Sequence, residues 1–170
     1  MARWMAGMAA YVISMTVATA SMASTVRYDY DREVEFSKWK IVAFPASGPV
    51  DLSLPERRIR RALESGFKTK GYTFAATPDS ADFVIAYHAA AWREPKVNDT
   101  FRGPGFGRSL QVERVPMGIL IVNLVDRKSG KVAWHGEVVD EIAQDAEKAD
   151  KKTAKDVEKL LEKFPPLPKK

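Results

Sequence analysis

MGILIVNLVDRKSGKVAWHG, residues Met117–Gly136, is the stretch whose reading decides the fold. It reads as one β-hairpin. A nearly unbroken apolar run from Gly118 to Val125 fits a strand buried on both faces and therefore near the centre of a sheet. Asp126-Arg127-Lys128-Ser129-Gly130 supplies the Asp and Gly chemistry of a hairpin turn, and Lys131 to Val139 carries the chain back. Within the returning strand Trp134 reads as a packing residue, and Gly136 as a bulge or a site of close strand approach.

Upstream, Val26 to Asp31 alternates apolar and charged residues, as a half-exposed strand does. Lys40 to Phe44 reads as a second strand, stopped by Pro45, and Ala46 to Leu52 as a loop. Ser53-Leu54-Pro55-Glu56 is a helix start, with Ser53 as N-cap, Glu56 closing a capping box and Pro55 in the first turn. Ile59, Leu63 and Phe67 mark its buried stripe, and Gly71 stops it behind Lys68 and Lys70. The same helix carries Arg57, Arg58, Arg60 and Arg61. Their reading is a solvated face whose arginine stems cover the core edge, with anion binding as the competing one. Tyr72 to Phe74 begins a short strand. Asp82 to Arg93, apolar on both alternating faces, reads as another interior strand, with His88 a buried core residue sharing a face with Val84, Ala86, Ala90 and Trp92.

Glu94 to Glu113 reads as a long loop, and loops of that length tend to be functional or disordered. Its Gly103-x-Gly105-x-Gly107 spacing lacks the helix that a dinucleotide fingerprint requires, so no nucleotide cofactor is expected. Phe101, Arg102, Phe106 and Arg108, interleaved there, together with Trp92, form the candidate binding set. They suit stacking on a sugar, a peptide or a membrane surface, while an unliganded hairpin extension is the competing reading. Downstream, Ala146 to Phe164 is an amphipathic helix with Ala149, Thr153, Val157, Leu160, Leu161 and Phe164 on its stripe. Pro165 and Pro166 end it, and residues 165–170 form a Pro/Lys-rich tail.

These elements assemble into an α+β two-layer sandwich: a largely antiparallel sheet of five or six strands with two helices on one face. The other face is left to solvent or to a partner. Trp92 and Trp134 are candidates for it, although alternation alone does not assign their faces. The chain has 170 residues, the length of one domain, taken as 24–164. It contains no cysteine, which removes disulfides, thiol nucleophiles and Cys-ligated zinc. The net charge of +5 is modest, and its basic residues are interleaved with acidic ones; no nucleic-acid partner is expected.

Residues 1–23 combine Arg3, an apolar run from Trp4 to about Ala18, and the small triplets Ala18-Thr19-Ala20 and Ser21-Met22-Ala23. This is the pattern of a signal peptide cleaved after Ala23 or Ala20; the alternative is an uncleaved anchor helix. Cleavage makes the mature chain an exported one, with membrane contact only if the segment stays uncleaved.

For function, the residues show no convergent set of nucleophile, base and oxyanion donors, and no metal ligands. The leading reading is a non-enzymatic exported protein, a binding or structural module that meets a partner protein or ligand through its open sheet face or the 103–107 loop. It expects no catalytic residue, metal or cofactor. The alternative is a hydrolase-like periplasmic enzyme using His88 and His135, oriented by Asp82, Asp126 or Glu137; that requires these groups within hydrogen-bond reach around a concave site.

An ordered set of segments also resembles a known family. It comprises Val26–Asp31, Phe36–Lys40, Glu56–Leu63, Lys70–Tyr72, Ala81–His88, Gly118–Asp126, Val132–Gly136 and Leu161–Pro166. Together they are similar to domain-of-unknown-function family 4136 (DUF4136), whose members are mostly bacterial envelope lipoproteins. The resemblance implies an envelope location and supplies neither an activity nor catalytic residues. Members usually carry a lipid-modified Cys after the signal segment, and this chain has none. The resemblance therefore implies a lipoprotein-like protein without the lipobox cysteine and without that anchor: a soluble periplasmic protein, or one held at the inner membrane by an uncleaved N-terminal helix.

Overall fold

The structure, a computed structural model, describes residues 24–46, 52–101 and 108–165. The expected signal segment, the 47–51 part of the first loop, Arg102 and Phe106 of the candidate binding set, and residues 166–170 of the tail lie outside them. The elements are β1 Thr25–Tyr30, β2 Ile41–Ala43, α1 Leu54–Thr69, β3 Thr73–Phe74, β4 Phe83–Phe101, β5 Arg108–Asp126, β6 Val132–Glu141 and α2 Ala146–Leu161. The strands form one six-stranded sheet in the order β1-β6-β5-β4-β2-β3. Pairing is antiparallel from β1 to β4 and parallel at β4-β2 and β2-β3. The fold is α+β with a mixed, mostly antiparallel sheet.

The hairpin forms as its residues dictate, with β5 between β4 and β6. Gly130 takes φ +69°, the left-handed region open to glycine, and the Asp126 carboxylate accepts from the Ser129 N–H at 2.8 Å. The start of α1 is equally local. The Glu56 N–H donates to the Ser53 hydroxyl at 3.4 Å, and the Ser53 N–H donates to the Glu56 carboxylate at 2.9 Å. Each satisfies a backbone donor that the first helical turn leaves unpaired.

Alternate residues of the central strands share one core with both helices: Phe83, Ile85, Leu120, Val122, Leu124, Trp134 and Val138 meet Ile59, Leu63 and Phe67 of α1 and Val157, Leu160 and Leu161 of α2. Gly66 lets the helices approach closely, since a Cβ there would lie 2.6 Å from Leu161 Cδ1. α2 ends at Leu161, three residues before the expected Phe164. The Phe164 N–H still donates to the Leu161 carbonyl at 3.0 Å, and this turn swings the Phe164 ring into the core. Its centroid lies 5.6 Å from those of Phe36 and Trp134, 5.9 Å from Phe67 and Tyr72, and 6.0 Å from Phe83.

Trp134 is completely buried in this core, as a packing residue. Gly136 is indeed a place of close approach, but by a side chain rather than a strand. An ideal Cβ on Gly136 would sit 2.1 Å from Trp134 Cη2, so the six-membered ring of the indole occupies the space a side chain two residues on would need.

Two expectations are corrected. His88 is exposed rather than a buried core residue, because it alternates onto the sheet face opposite the core. Glu94–Phe101 and Arg108–Glu113 are strand rather than irregular loop: β4 and β5 stay paired in unbroken register from Phe83↔Asp126 to Phe101↔Arg108. β6 leaves β5 at Met117↔Glu141, so the outer part of β4 and β5 continues as a two-stranded ribbon.

Candidate functional site

On the open face, opposite the core, the two histidines are kept apart. His88 pairs with Ile121 across β4–β5, and His135 with Asn123 across β5–β6. They therefore lie on different sides of β5 and two residues apart along it. His135 Nδ1 is 2.7 Å from Asn123 Oδ1, so its partner is a neutral amide. The proposed orienting carboxylates are engaged elsewhere. Asp82 accepts from the Lys40 and Ile41 N–H groups at 2.7 and 2.8 Å, fixing β2 against β4. Burial alone would raise the pKa of Asp126, but hydrogen bonds from Ser129 and Lys128 and the Lys128 charge outweigh it and hold the group below its usual value. Glu137 pairs with Arg27 across β6–β1 at 3.3 Å. No histidine–carboxylate dyad is assembled among these residues. No cluster of three His, Cys, Asp or Glu suited to a metal occurs among the described residues either.

Half of the arginine row on α1 serves structure. Arg58 bonds Asp150 of α2 at 2.5 Å, and the Arg60 guanidinium sits 4.2 Å from the Phe44 ring centroid, a cation–π geometry. These contacts use the side chains to hold α1 against its neighbours.

The ribbon is the second feature. Register places Arg93, Pro95, Val97 and Asp99 of β4 beside Leu110, Val112, Arg114 and Pro116 of β5 on the core-side face, which no longer has a core to cover. Val97, Leu110 and Val112 are 61%, 67% and 67% exposed. The reverse face presents Glu94, Lys96 and Asn98 with Ser109, Gln111 and Glu113. Of the candidate binding set, Trp92 is 40% exposed, at the base of the ribbon on this reverse face. Phe101 and Arg108 are paired in the backbone ladder at its far end. Sequence reading centred on the glycines and aromatics and passed over Val97, Leu110 and Val112. Their signal was the alternation Arg93-x-Pro95-x-Val97 and Leu110-x-Val112-x-Arg114.

The third feature is a groove of about 310 Å³ where the ribbon joins the body. Its apolar floor includes Ile59, Ala89, Ala91, Gly118, Leu120 and Val138, and its wall carries Asp140, Lys152 and Asp156. Lys152 Nζ bonds Asp140 at 2.7 Å. Asp156 Oδ1 is buried and finds no donor. Burial first, then the charge of Asp140 and a hydrogen bond shared with it, raise the Asp156 pKa to about 6, against the opposing pull of Lys152 and Lys159. Below that pH a proton on Asp156 supplies a donor that can bridge to Asp140. Sequence reading missed this cluster: only Lys152 and Asp156 are near in sequence, and Asp140 comes from a strand.

Among the described residues, no helix is long and apolar enough to cross a membrane. No curated protein matches the chain. In structure it is similar to a PDZ domain protein from Parabacteroides distasonis, with a TM-score of 0.57 and 15% identity over 85% of this chain. That match spans only 36% of the larger protein. It is also similar to a DUF4136 family protein from Bacteroides thetaiotaomicron, with a TM-score of 0.53 and 15% identity over 84% of this chain and 96% of that one. At such identities the likeness is one of fold. The family model for DUF4136, a domain of unknown function, matches residues 26–166, and the chain belongs to that family.

Proposed function

We propose that this protein is an exported, non-enzymatic module of the bacterial envelope that binds a partner or ligand through the surface built on β4 and β5. The observation that carries this reading is the ribbon. A chain that ends its core at Gly118 nevertheless continues the β4–β5 pairing to Phe101↔Arg108, and presents Val97, Leu110 and Val112 to solvent. Exposed aliphatic side chains grouped on one face of a projection have no role in the core and mark an interaction surface. Export rests on the signal-like residues 1–23, with cleavage after Ala23 or Ala20 and a periplasmic mature chain. The enzymatic alternative through His88 and His135 loses support from their separation across β5.

The test has two parts. N-terminal sequencing of the protein from the periplasmic fraction is expected to begin at Ser24 or Ser21; finding Met1 or Ala2 there would defeat cleavage. Pull-down from envelope extract is expected to recover a specific partner that is lost when Val97, Leu110 and Val112 are changed together to Ser. A second variant carries Phe101, Arg102, Phe106 and Arg108 changed to Ala. Recovery unchanged by both variants would remove the ribbon from the binding surface.

A further inference from the structure

The charges on the ribbon are sorted by face. Arg93 and Arg114, both exposed, lie on the core-side face next to Val97, Leu110 and Val112, at the end nearer the body. Among the described residues, Asp99 is the acidic residue on that face. The reverse face carries Glu94 and Glu113 against Lys96. The ribbon therefore has one apolar face with two arginines on its body side and one polar face biased to negative charge.

We propose that the core-side face of the ribbon docks onto the surface of an anionic lipid bilayer, with Val97, Leu110 and Val112 entering the headgroup boundary and Arg93 and Arg114 pairing with lipid phosphates. Arginine suits this task because its guanidinium binds phosphate bidentately and its stem can lie along apolar surface. An anionic surface also orients the ribbon, since the face with Glu94 and Glu113 is turned away from it. A second copy of the chain fits less well. A stable protein interface takes about 800 Å² from each partner, and three aliphatic side chains on a ribbon two strands wide provide only a fraction of that. A bilayer requires no shape complementarity and accepts a narrow apolar edge.

This inference deepens the binding reading of the same ribbon and rests on it. The decisive experiment is flotation of the purified protein with vesicles of phosphatidylglycerol mixed with phosphatidylcholine, and with vesicles of phosphatidylcholine alone. Every variant is compared in the same N-terminal form, so that residues 1–23 contribute equally. The wild type is expected to float with the anionic vesicles, to prefer them over neutral ones, and to be released as salt rises. Arg93→Gln with Arg114→Gln should weaken partition about fivefold per arginine. Val97→Ser, Leu110→Ser and Val112→Ser together should weaken it by on the order of tenfold or more. Glu94→Gln with Glu113→Gln should leave it unchanged or strengthen it. All these side chains are exposed or at the ribbon edge, so circular dichroism should show each variant folded. Equal partition onto both vesicle types, or partition that neither the arginine nor the serine variant changes, overturns the proposal. So does self-association by light scattering that the serine variant abolishes while vesicles are not bound; that result assigns the face to a second copy. If vesicles are not bound and the envelope pull-down still depends on the ribbon, the binding reading stands and the lipid inference alone falls.

Discussion

Replacing Asp156 with Asn tests the carboxylate pair in the wall of the groove. Asp156 has its pKa raised to about 6 by burial first and by Asp140 second. The folded chain therefore holds its proton more tightly than the unfolded chain, where the group titrates near 3.8. Between those values the native state binds more protons, so stability falls as pH rises through the window and the loss is complete above about pH 6. Discounted for solvent screening at a part-exposed group, the loss is about 1–2 kcal/mol. Asparagine keeps the size, offers an N–H to Asp140 and does not titrate. Asp156→Asn should thus be more stable than wild type by about 1–2 kcal/mol at pH 8 and close to it at pH 4. The assay is urea unfolding followed by tryptophan fluorescence across that range, since Trp39 and Trp134 are both buried reporters. Glu56 and Asp126, whose pKa values are lowered, contribute stability that is lost as pH falls through their folded values. They do so equally in both proteins and cancel in the difference. Parallel stability profiles for wild type and variant from pH 4 to 8 would refute the shared-proton account.

Three further substitutions follow from the packing. Phe164→Ala removes the ring that touches Phe36, Trp39, Phe67, Tyr72, Phe83 and Trp134, and should cost about 3–5 kcal/mol in urea unfolding; a cost below about 1 kcal/mol would show that the helix end does not seal the core. Gly136→Ala forces the Trp134 indole off its strand, because the new methyl would meet Cη2 at 2.1 Å. It is expected to cost about 3 kcal/mol, the upper end for overpacking, with a shifted tryptophan emission maximum; an unshifted spectrum with wild-type stability would contradict the geometry. Ser53→Ala opens the capping box of α1 and should lower stability by about 1 kcal/mol, whereas Ser53→Thr, which keeps the hydroxyl that donates to Glu56 at 2.7 Å, should retain most of it.

What could be read from the sequence was what is set locally. The hairpin turn, the Ser53–Glu56 box and the Gly71 stop each depend on a few adjacent residues whose chemistry admits one geometry. The periodic stripes of α1 and α2 place Leu63, Phe67, Val157 and Leu161 in the core without knowledge of their partners. The groove was not legible because Asp140, Lys152 and Asp156 converge only when α2 lies over β6, and no spacing in the chain encodes that packing. The ribbon was obscured for another reason: Pro95 and the glycines at 103, 105 and 107 punctuate a strand pair that alternates on either side of them.

The boundary between body and ribbon is nevertheless written in side-chain size. From Phe83 and Ile85 the core-side face of β4 passes through half-buried Tyr87 to Ala89 and Ala91, opposite Leu120 and Gly118 of β5. Small residues at that point leave the hollow that becomes the groove. Beyond them the same face carries Arg93, Val97 and Arg114, a composition that neither a core nor a wholly solvated surface requires. The strand that begins at Phe83 therefore presents three surfaces in succession: a packed core, a groove floor, and an exposed face on which Val97 lies beyond Arg93.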